Sequence, residues 1–411
     1  MHAYSVCRAY SVLTHQALID VNWEKVLLPL LKEKFPESTN EALKEAHAYA
    51  YGGAVVPDMG YLPFGSRLFT NLIHYVRSGD FVNTVLHDAR NLNEYAFALG
   101  ILCHYYTDMY GHPIGINVSV PVIYPKLERK YGDTVTYDEH HVSHLRTEFS
   151  FDILQTARGN YAPTAYHDFI GFKVADTLLQ KAFAETYGLE ANDLFGNFPK
   201  AVGRFRFAVM NLFPFFTKAA WAAKKDEIQK IDTTATSRNF IYRMHQKNNR
   251  FKFGKAERPG FSARVFALLI YIIPKVGPLK VLKFKDPGPV AEKNFIASFD
   301  TVTRHYAVNV SALHKHSVQL HNVDFDTGVR TSEGEYSLAD KTYCELLLQL
   351  KLNNFETVTP ALRNNIISFY AVPQKNDLSK KRSKAMSALA QLKKTNITFY
   401  KKEKLSPAGA L

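Results

Sequence analysis

The sequence has little of what several common protein classes require. Only three cysteines, Cys7, Cys103 and Cys344, occur in 411 residues, and they can form one bridge at most, which excludes a disulfide framework. No apolar run reaches the length of a membrane-spanning helix. Alternating βα units and a glycine-rich phosphate loop are also absent from the sequence, so we expect no dinucleotide-binding fold. With 46% hydrophobic and 22% charged residues, the composition is that of a globular protein.

Positive charge is unevenly distributed along the chain. Residues 1–230 carry 22 Lys and Arg against 24 Asp and Glu, whereas residues 231–411 carry 29 against 14. The formal net charge of +13 therefore comes from the second part. We expect that part to contact any anionic partner of the protein.

Hydrophobic periodicity predicts an all-α protein. Ser38 and Glu41 have the spacing of a capping box and predict the start of one helix. The four residues Thr134–Tyr137 favour β structure and predict a small hairpin at most. Further helices are predicted over residues 67–78, 91–110, 145–158, 166–187 and 200–230.

Three parts are predicted along the chain. Residues 1–9 are a leader or the remnant of a signal peptide, because Cys7-Arg8-Ala9 ends in small residues at the positions a signal peptidase reads. Residues 10–231 form a histidine-rich domain, and residues 232–411 form a basic, mostly helical C-terminal domain. If the N-terminus is truncated, we expect an exported (periplasmic or secreted) or peripheral membrane protein, and otherwise a cytoplasmic one.

The densest group of metal-binding residue types is His104, Asp108 and His112. Steps of four residues turn the side-chain direction by about 40° on a helix, so all three project toward one side. These polar groups follow an apolar helical segment, so they are expected to face the core. Burying a polar group is costly unless it has a bonding partner, and zinc can be that partner because it binds both imidazole and carboxylate. Because Pro113 follows His112, we expect the helix to end there and His112 to serve a different ion from His104.

A second pair, His144 and Glu148, has the same spacing, while Asp58 and His74 stand alone. Taken singly, each residue is typical of a helix cap, a core histidine or a solvated ion pair. Taken together, they favour a metal centre.

The order of these residues resembles the zinc-dependent phospholipase C family. The resemblance covers residues 10–230 and rests on Thr14-His15, Gly52-Gly53-Ala54-Val55-Val56-Pro57-Asp58, His74, His104, Asp108, His112, His144 and Glu148. The family is related to the single-strand-specific zinc nucleases, and the spacing from Asp108 to His112 resembles the glycosylphosphatidylinositol-specific phospholipase D. The resemblance implies a multi-helix bundle around two or three zinc ions, here with a mostly helical C-terminal extension.

The resemblance also implies a ligand set. One zinc is held by Asp58, His74, His104 and Asp108, and a second by His112, His144 and Glu148. A third takes His15, a shared Asp108, and the amino group and carbonyl of Tyr10, which is a free N-terminus only if residues 1–9 are removed. Tyr10 stands where the family usually has tryptophan. Asp58 is further implied as a catalytic residue that orients or deprotonates water.

The implied activity is phospholipase C-type cleavage of a glycerophospholipid by a metal-bound hydroxide. Two alternatives remain: a zinc-dependent single-strand nuclease, and a zinc-stabilised lipid-binding protein without turnover. The slightly acidic first part makes nucleic acid the less favoured partner, since a protein that tracks a nucleic-acid backbone needs a basic channel.

Two basic segments of the second part predict contact with an anionic membrane surface. Nine apolar residues, Val265–Ile273, lie among cations within residues 250–285, and lysine clusters occur within residues 375–404. For the first segment a buried helix with a solvated rim is favoured over membrane contact, and for the second a solvated helix or nucleic-acid contact fits equally well. Asn322, Asp324 and Asp326 alternate as in a calcium loop, but Gly328 is one place late, so we interpret them as a surface turn.

Overall fold

A computed structural model describes residues 12–61, 65–157, 172–209, 284–313, 318–371 and 380–395, with isolated positions between 226 and 233. These residues form a helical bundle, and no strand occurs among them, which confirms the predicted all-α class. Within the same ranges, no helix combines the length and the apolar character needed to cross a bilayer.

The helices are numbered in chain order through the described residues. Their bounds are α1 Val12–Asn22, α2 Leu28–Lys34, α3 Asn40–Val55, α4 Arg67–Tyr75, α5 Ser78–Asp88, α6 Leu92–Gly111, α7 Asn117–Ile123, α8 Pro125–Tyr131, α9 Tyr137–Ala157, α10 Asp176–Tyr187, α11 Ala191–Phe195, α12 (described over 198–209), α13 Gly288–Ala312, α14 Ser337–Leu352, α15 Pro360–Phe369 and α16 Lys380–Lys394. Two π-helical turns, Trp23–Leu27 and His112–Ile116, and a 3-10 turn, Val56–Tyr61, interrupt them.

Helices α3 and α6 pack against each other at the centre of the bundle through glycine. A Cβ atom on Gly53 would lie 2.0 Å from the carbonyl oxygen of Phe97, and one on Gly100 would lie 2.1 Å from that of Ala50. Only glycine permits this close approach of two backbones. The approach brings the C-terminal end of α3 beside the histidine-bearing face of α6.

Helix α13 and the segment 318–336 also pack on α6. The hydroxyl of Tyr306 in α13 donates a hydrogen bond to the carbonyl of Leu99 in α6 at 2.9 Å. The segment 318–336, which joins α13 to α14, accepts hydrogen bonds from Ser78 at the Val323 carbonyl (2.7 Å) and from Tyr105 at the His321 carbonyl (2.8 Å). Residues 318–336 therefore lie against α5 and α6.

Several local predictions were wrong in detail. Thr39, not Ser38, caps α3, because its side chain accepts a hydrogen bond from the amide of Ala42 at 3.2 Å. The β-prone stretch forms no hairpin, which is within the prediction of a small hairpin at most: it is irregular up to residue 136, and α9 begins at Tyr137. The helix predicted to reach Ser78 ends at Tyr75, because Arg77 adopts a left-handed conformation (φ 50°) before α5 begins.

His112 also departs from its prediction. Helix α6 ends at Gly111 as expected, but His112 keeps a helical backbone (φ −65°, ψ −60°). Pro113 lies in the first turn of the following π-helical segment, where a missing N–H is tolerated. The chain continues through this turn into α7, so His112 stays on the same side of the bundle as Asp108.

The two basic segments are only partly described. Residues 250–283 lie outside the described ranges, as do residues 375–379 and 396–404 of the second segment. Its central part is the amphipathic helix α16, which buries Ala385, Ala388, Leu389 and Leu392. Lys393 and Lys394 are exposed on the same helix.

Candidate metal centre

The first group of predicted ligands comes from three elements that meet at the α3–α6 contact. Asp58 lies in the 3-10 turn after α3, His74 near the end of α4, and His104 and Asp108 on α6. All four are buried, and one ligand atom from each lies within 4.8 Å of the others. We call them the first cluster.

Backbone carbonyls fix the imidazoles of the first cluster. Nδ1 of His74 lies 2.9 Å from the Thr70 carbonyl, and Nδ1 of His104 lies 2.9 Å from the Ala54 carbonyl. A carbonyl can only accept, so each ring carries a proton on Nδ1, and in the neutral form of each ring Nε2 presents a lone pair. These two Nε2 atoms are 3.4 Å apart. Two lone pairs at this distance repel each other unless a cation lies between them.

The spacing within the first cluster fits zinc. Nε2 of His74 lies 3.2 Å from Asp58 Oδ1 and 3.3 Å from Asp108 Oδ2, and Nε2 of His104 lies 3.1 Å from the same Oδ2. Ligands about 2.0–2.1 Å from a tetrahedral zinc ion are about 3.3 Å from one another. The buried carboxylate oxygens of Asp58 and Asp108 receive no hydrogen bond from the described residues. A cation would satisfy them.

The second cluster consists of His112, His144 and Glu148, all buried, again with one ligand atom each within 4.8 Å of the others. Nδ1 of His144 lies 2.8 Å from Oε1 of Glu148. The rings of His112 and His144 stack with their centroids 5.1 Å apart. Helix α9 therefore supplies two of the three residues, and the π-helical turn after α6 supplies the third.

A side chain absent from the predicted set orients His144. Asn117 donates from Nδ2 to the Asp326 carbonyl at 2.7 Å, so its Oδ1, 2.9 Å from Nε2 of His144, is an acceptor. His144 then carries its proton on Nε2 and turns the lone pair of Nδ1 toward Glu148. The second cluster thus repeats the chemistry of the first, with an imidazole lone pair beside a carboxylate oxygen.

Asp108 lies between the two clusters and His15. Its Oδ2 faces His74 and His104, while its Oδ1 is 3.4 Å from Nε2 of His15 and 3.7 Å from Nε2 of His112. The His15 ring stacks on His104 with centroids 4.5 Å apart. His15, implied for the third ion, therefore lies beside the shared aspartate, while Tyr10 lies outside the described residues.

The electrostatics of the buried groups favour a bound cation. Burial raises the pKa of Asp58 to about 6. Burial would also raise the pKa of Asp108, but the surrounding histidines, His104 first, hold it well below its usual range. Burial lowers the pKa of His112, but Asp108 and Asp326 more than offset this and raise it to about 9. In the absence of a metal, protons would have to supply the missing positive charge.

His15 is the contrasting case. Burial and the neighbouring His104 lower the pKa of His15 well below its usual value. A neutral imidazole is the form that binds a metal ion.

The segment 318–336 covers one side of the centre, and its interpretation as a surface turn was wrong. Asp324 is 1% exposed and Asp326 is 3% exposed. The Phe325 amide donates to the His74 carbonyl at 3.1 Å, and the Phe325 ring packs on the His74 ring with centroids 5.1 Å apart. These contacts draw the acidic residues on either side of Phe325 into the interior.

The comparisons with known proteins agree with the resemblance seen in the sequence. Residues 14–197 match the family model described as zinc dependent phospholipase C, which confirms the resemblance over these residues. Neither the curated proteins nor the solved structures gave a match.

Proposed function

We propose, from the match of residues 14–197 to the zinc-dependent phospholipase C family, that the protein is a phosphodiester hydrolase that cleaves a glycerophospholipid between glycerol and phosphate. The observation that carries the proposal is the pair of buried ligand clusters, one containing Asp108 and the other with His112 beside it. The cost of burying so many imidazoles and carboxylates together is offset if they bind metal ions.

The proposed cofactor is zinc. The first cluster would hold one ion and the second cluster another, and His15 with Asp108 would contribute to a third if Tyr10 is the N-terminal residue. Asp58, Asp108 and Glu148 supply three negative charges, fewer than the charge of two or three zinc ions. The excess positive field would attract a phosphodiester and stabilise its transition state. Bound zinc supplies Lewis acidity toward a phosphoryl oxygen and lowers the pKa of water to about 7.

Asp58 is the proposed catalytic residue. Its Oδ1 lies 3.2 Å from Nε2 of His74, whereas its Oδ2 lies 3.9 Å from Nε2 of His15. We expect Oδ2 to orient the attacking water and to accept its proton. The backbone bonds from His74 and His104 to Thr70 and Ala54 would keep the surrounding rings fixed while the proton moves.

The proposed substrate is presented by a membrane surface. Lys384, Lys393 and Lys394 of α16 are exposed while its alanines and leucines are buried, and exposed lysines suit contact with anionic head groups. Residues 250–285 and 375–404 together form the proposed membrane-associating part of a C-terminal domain, 232–411, that follows a catalytic domain, 10–231. Nucleic acid is the less favoured partner.

One experiment separates the three functions considered. The purified full chain and the His104→Ala variant are compared for zinc content, release of diacylglycerol from phosphatidylcholine vesicles, and release of nucleotides from single-stranded DNA. We expect the variant to lose zinc and about 100-fold or more of lipid hydrolysis. His87→Ala is the matched control, because that side chain is 81% exposed and lies outside both clusters.

The other outcomes decide against the proposal. Nucleotide release without diacylglycerol would identify a zinc nuclease. Bound zinc with neither product, in protein whose N-terminus has been verified as Tyr10, would identify a zinc-stabilised lipid-binding protein.

A further inference from the structure

Asp326 is a buried carboxylate beside the second cluster, and it comes from a part of the chain that the family match does not reach. The match ends at residue 197, whereas Asp326 lies in the segment 318–336. Its Oδ1 is 3.8 Å from Nδ1 of His112. A side chain from the far end of the sequence therefore lies next to a predicted metal ligand.

The Asp326 carboxylate is held firmly in this position. Its Oδ2 accepts a hydrogen bond from the hydroxyl of Tyr75 at 3.0 Å and another from the hydroxyl of Tyr336. Tyr75 ends α4, and Tyr336 immediately precedes α14. Two helices thus restrict the rotation of the carboxylate and keep Oδ1 turned toward His112.

The backbone of the same residue reaches the other histidine of the cluster. The Asp326 carbonyl accepts from Nδ2 of Asn117, and this fixes the Asn117 amide so that its Oδ1 accepts from Nε2 of His144. Asp326 is therefore linked to His112 through its side chain and to His144 through Asn117.

We propose that Asp326 is a positioning residue for the second metal ion, orienting His112 with its carboxylate and His144 through Asn117. Groups that hydrogen-bond to metal ligands fix the orientation of the ligand rings and raise the affinity for the metal, typically by 10–100-fold. The inference rests on the zinc sites of the proposed function, but it does not depend on hydrolysis.

The test compares Asp326→Asn with Asp324→Asn. The first change keeps the shape of the side chain and removes the charge that faces His112. The second alters an equally buried acid of the same segment, whose Oδ1 accepts from the amides of Asp326 and Thr327. A purely structural role of the segment predicts the same effect from both variants.

Zinc affinity is measured by competition with a chromophoric chelator, and ligand geometry by the visible absorption spectrum of the Co²⁺-loaded protein. We expect Asp326→Asn to bind its weakest zinc ion about 10–100-fold less tightly and to change the Co²⁺ spectrum. We expect Asp324→Asn to retain zinc affinity within about threefold. Unchanged affinity in Asp326→Asn, or equal losses in the two variants, would overturn the proposal.

A second pair covers the case in which Asp326→Asn does not fold. Tyr336→Phe removes one hydrogen bond from Oδ2 and keeps the carboxylate, so we expect a several-fold loss of zinc affinity. Tyr343→Phe is its control, because that hydroxyl donates to Asn365 instead, at 2.9 Å. Equal affinities in these two variants would also contradict the proposal. Since zinc binding is the readout, a wild-type protein without lipase activity would refute the proposed function and leave this test intact.

Discussion

At the scale of single residues, the centre depends on how each polar atom is directed. Nδ1 of His74 and His104 is engaged by backbone carbonyls, and Nε2 of His144 faces Asn117, so the opposite nitrogen of each ring is turned to a carboxylate. Asp108 divides its two oxygens between the first cluster on one side and His15 and His112 on the other. The positions of these lone pairs favour bound cations.

Asp108→Asn is expected to release more zinc than Glu148→Gln. Asp108 faces residues implied for all three ions, whereas Glu148 belongs to the second cluster alone. Elemental analysis of the two purified variants beside the wild type gives the number of bound ions. We expect Glu148→Gln to lack one ion and Asp108→Asn to lack at least two. Equal losses would show that Asp108 does not link the sites.

The sequence predicts part of this arrangement. A spacing of four residues on a helix places His104 with Asp108 and His144 with Glu148, because helical geometry alone brings such pairs together. It cannot identify Asn117 or Asp326, whose contacts join residues 209 positions apart and exist only in the folded chain. The alternating acids around residue 324 were noticeable, but a glycine out of register pointed away from a site.

At the scale of elements, the first cluster depends on how closely α3 approaches α6. The same contact places the Ala54 carbonyl against Nδ1 of His104. The bounds of α6 were well predicted, since Asn91 caps it by accepting a hydrogen bond from the Glu94 amide at 3.0 Å. The π-helical turn at His112 was not predicted. Proline disfavours a helical conformation in the residue before it, but His112 keeps that conformation in the folded chain.

Gly100→Ala is expected to destabilise the fold and weaken zinc binding together. The new methyl group would lie 2.1 Å from the Ala50 carbonyl, and pushing two backbones apart costs about 1–3 kcal/mol or more. Gly203→Ala is the matched control, because a Cβ there meets nothing within 4 Å and should stabilise its helix by about 0.5–1 kcal/mol. Thermal unfolding and chelator competition measure both effects. A Gly100→Ala protein with wild-type stability would contradict the close packing.

The start of α10 gives a pH-dependent prediction. Burial raises the pKa of Asp176 to about 6, although Arg206 partly opposes the shift. A carboxyl whose folded-state pKa exceeds its unfolded value destabilises the protein above that pKa, and the penalty disappears once both states are protonated, below about pH 4. We therefore expect Asp176→Asn to raise Tm by about 1–3 °C at pH 8, with the gain lost between pH 6 and pH 4. A gain independent of pH would indicate another cause.

At the scale of the whole molecule, the residues that match the zinc-dependent phospholipase C family and described residues beyond that match meet at one centre. Residues 14–197 contain both clusters, while α13 and the segment 318–336 pack on α5, α6 and α7. Buried carboxylates and buried histidines from several of the described helices lie beside one another in the centre. The charge state of the centre therefore affects the stability of the entire fold.

Removal of zinc is expected to lower the stability of the full chain. A ligand present at a thousand times its Kd stabilises the folded state by about 4 kcal/mol, which a chelator would remove. Calorimetric Tm values before and after chelation test this, and far-UV circular dichroism at 25 °C should show that the helices persist. Added Zn²⁺ should restore Tm, whereas Mg²⁺, which prefers oxygen ligands, should not. A Tm that does not respond to chelation would contradict buried zinc sites.

The position of Asp326 so late in the chain has a consequence for biosynthesis. A ribosome synthesises the histidines of α6 and α9 long before it reaches residue 326, so the nascent polypeptide carries these proposed metal ligands without the carboxylate that we propose positions two of them. On the proposed role of Asp326, tight binding of the second ion has to wait until residue 326 has left the ribosome, and a chain terminated before this point is expected to release that ion readily.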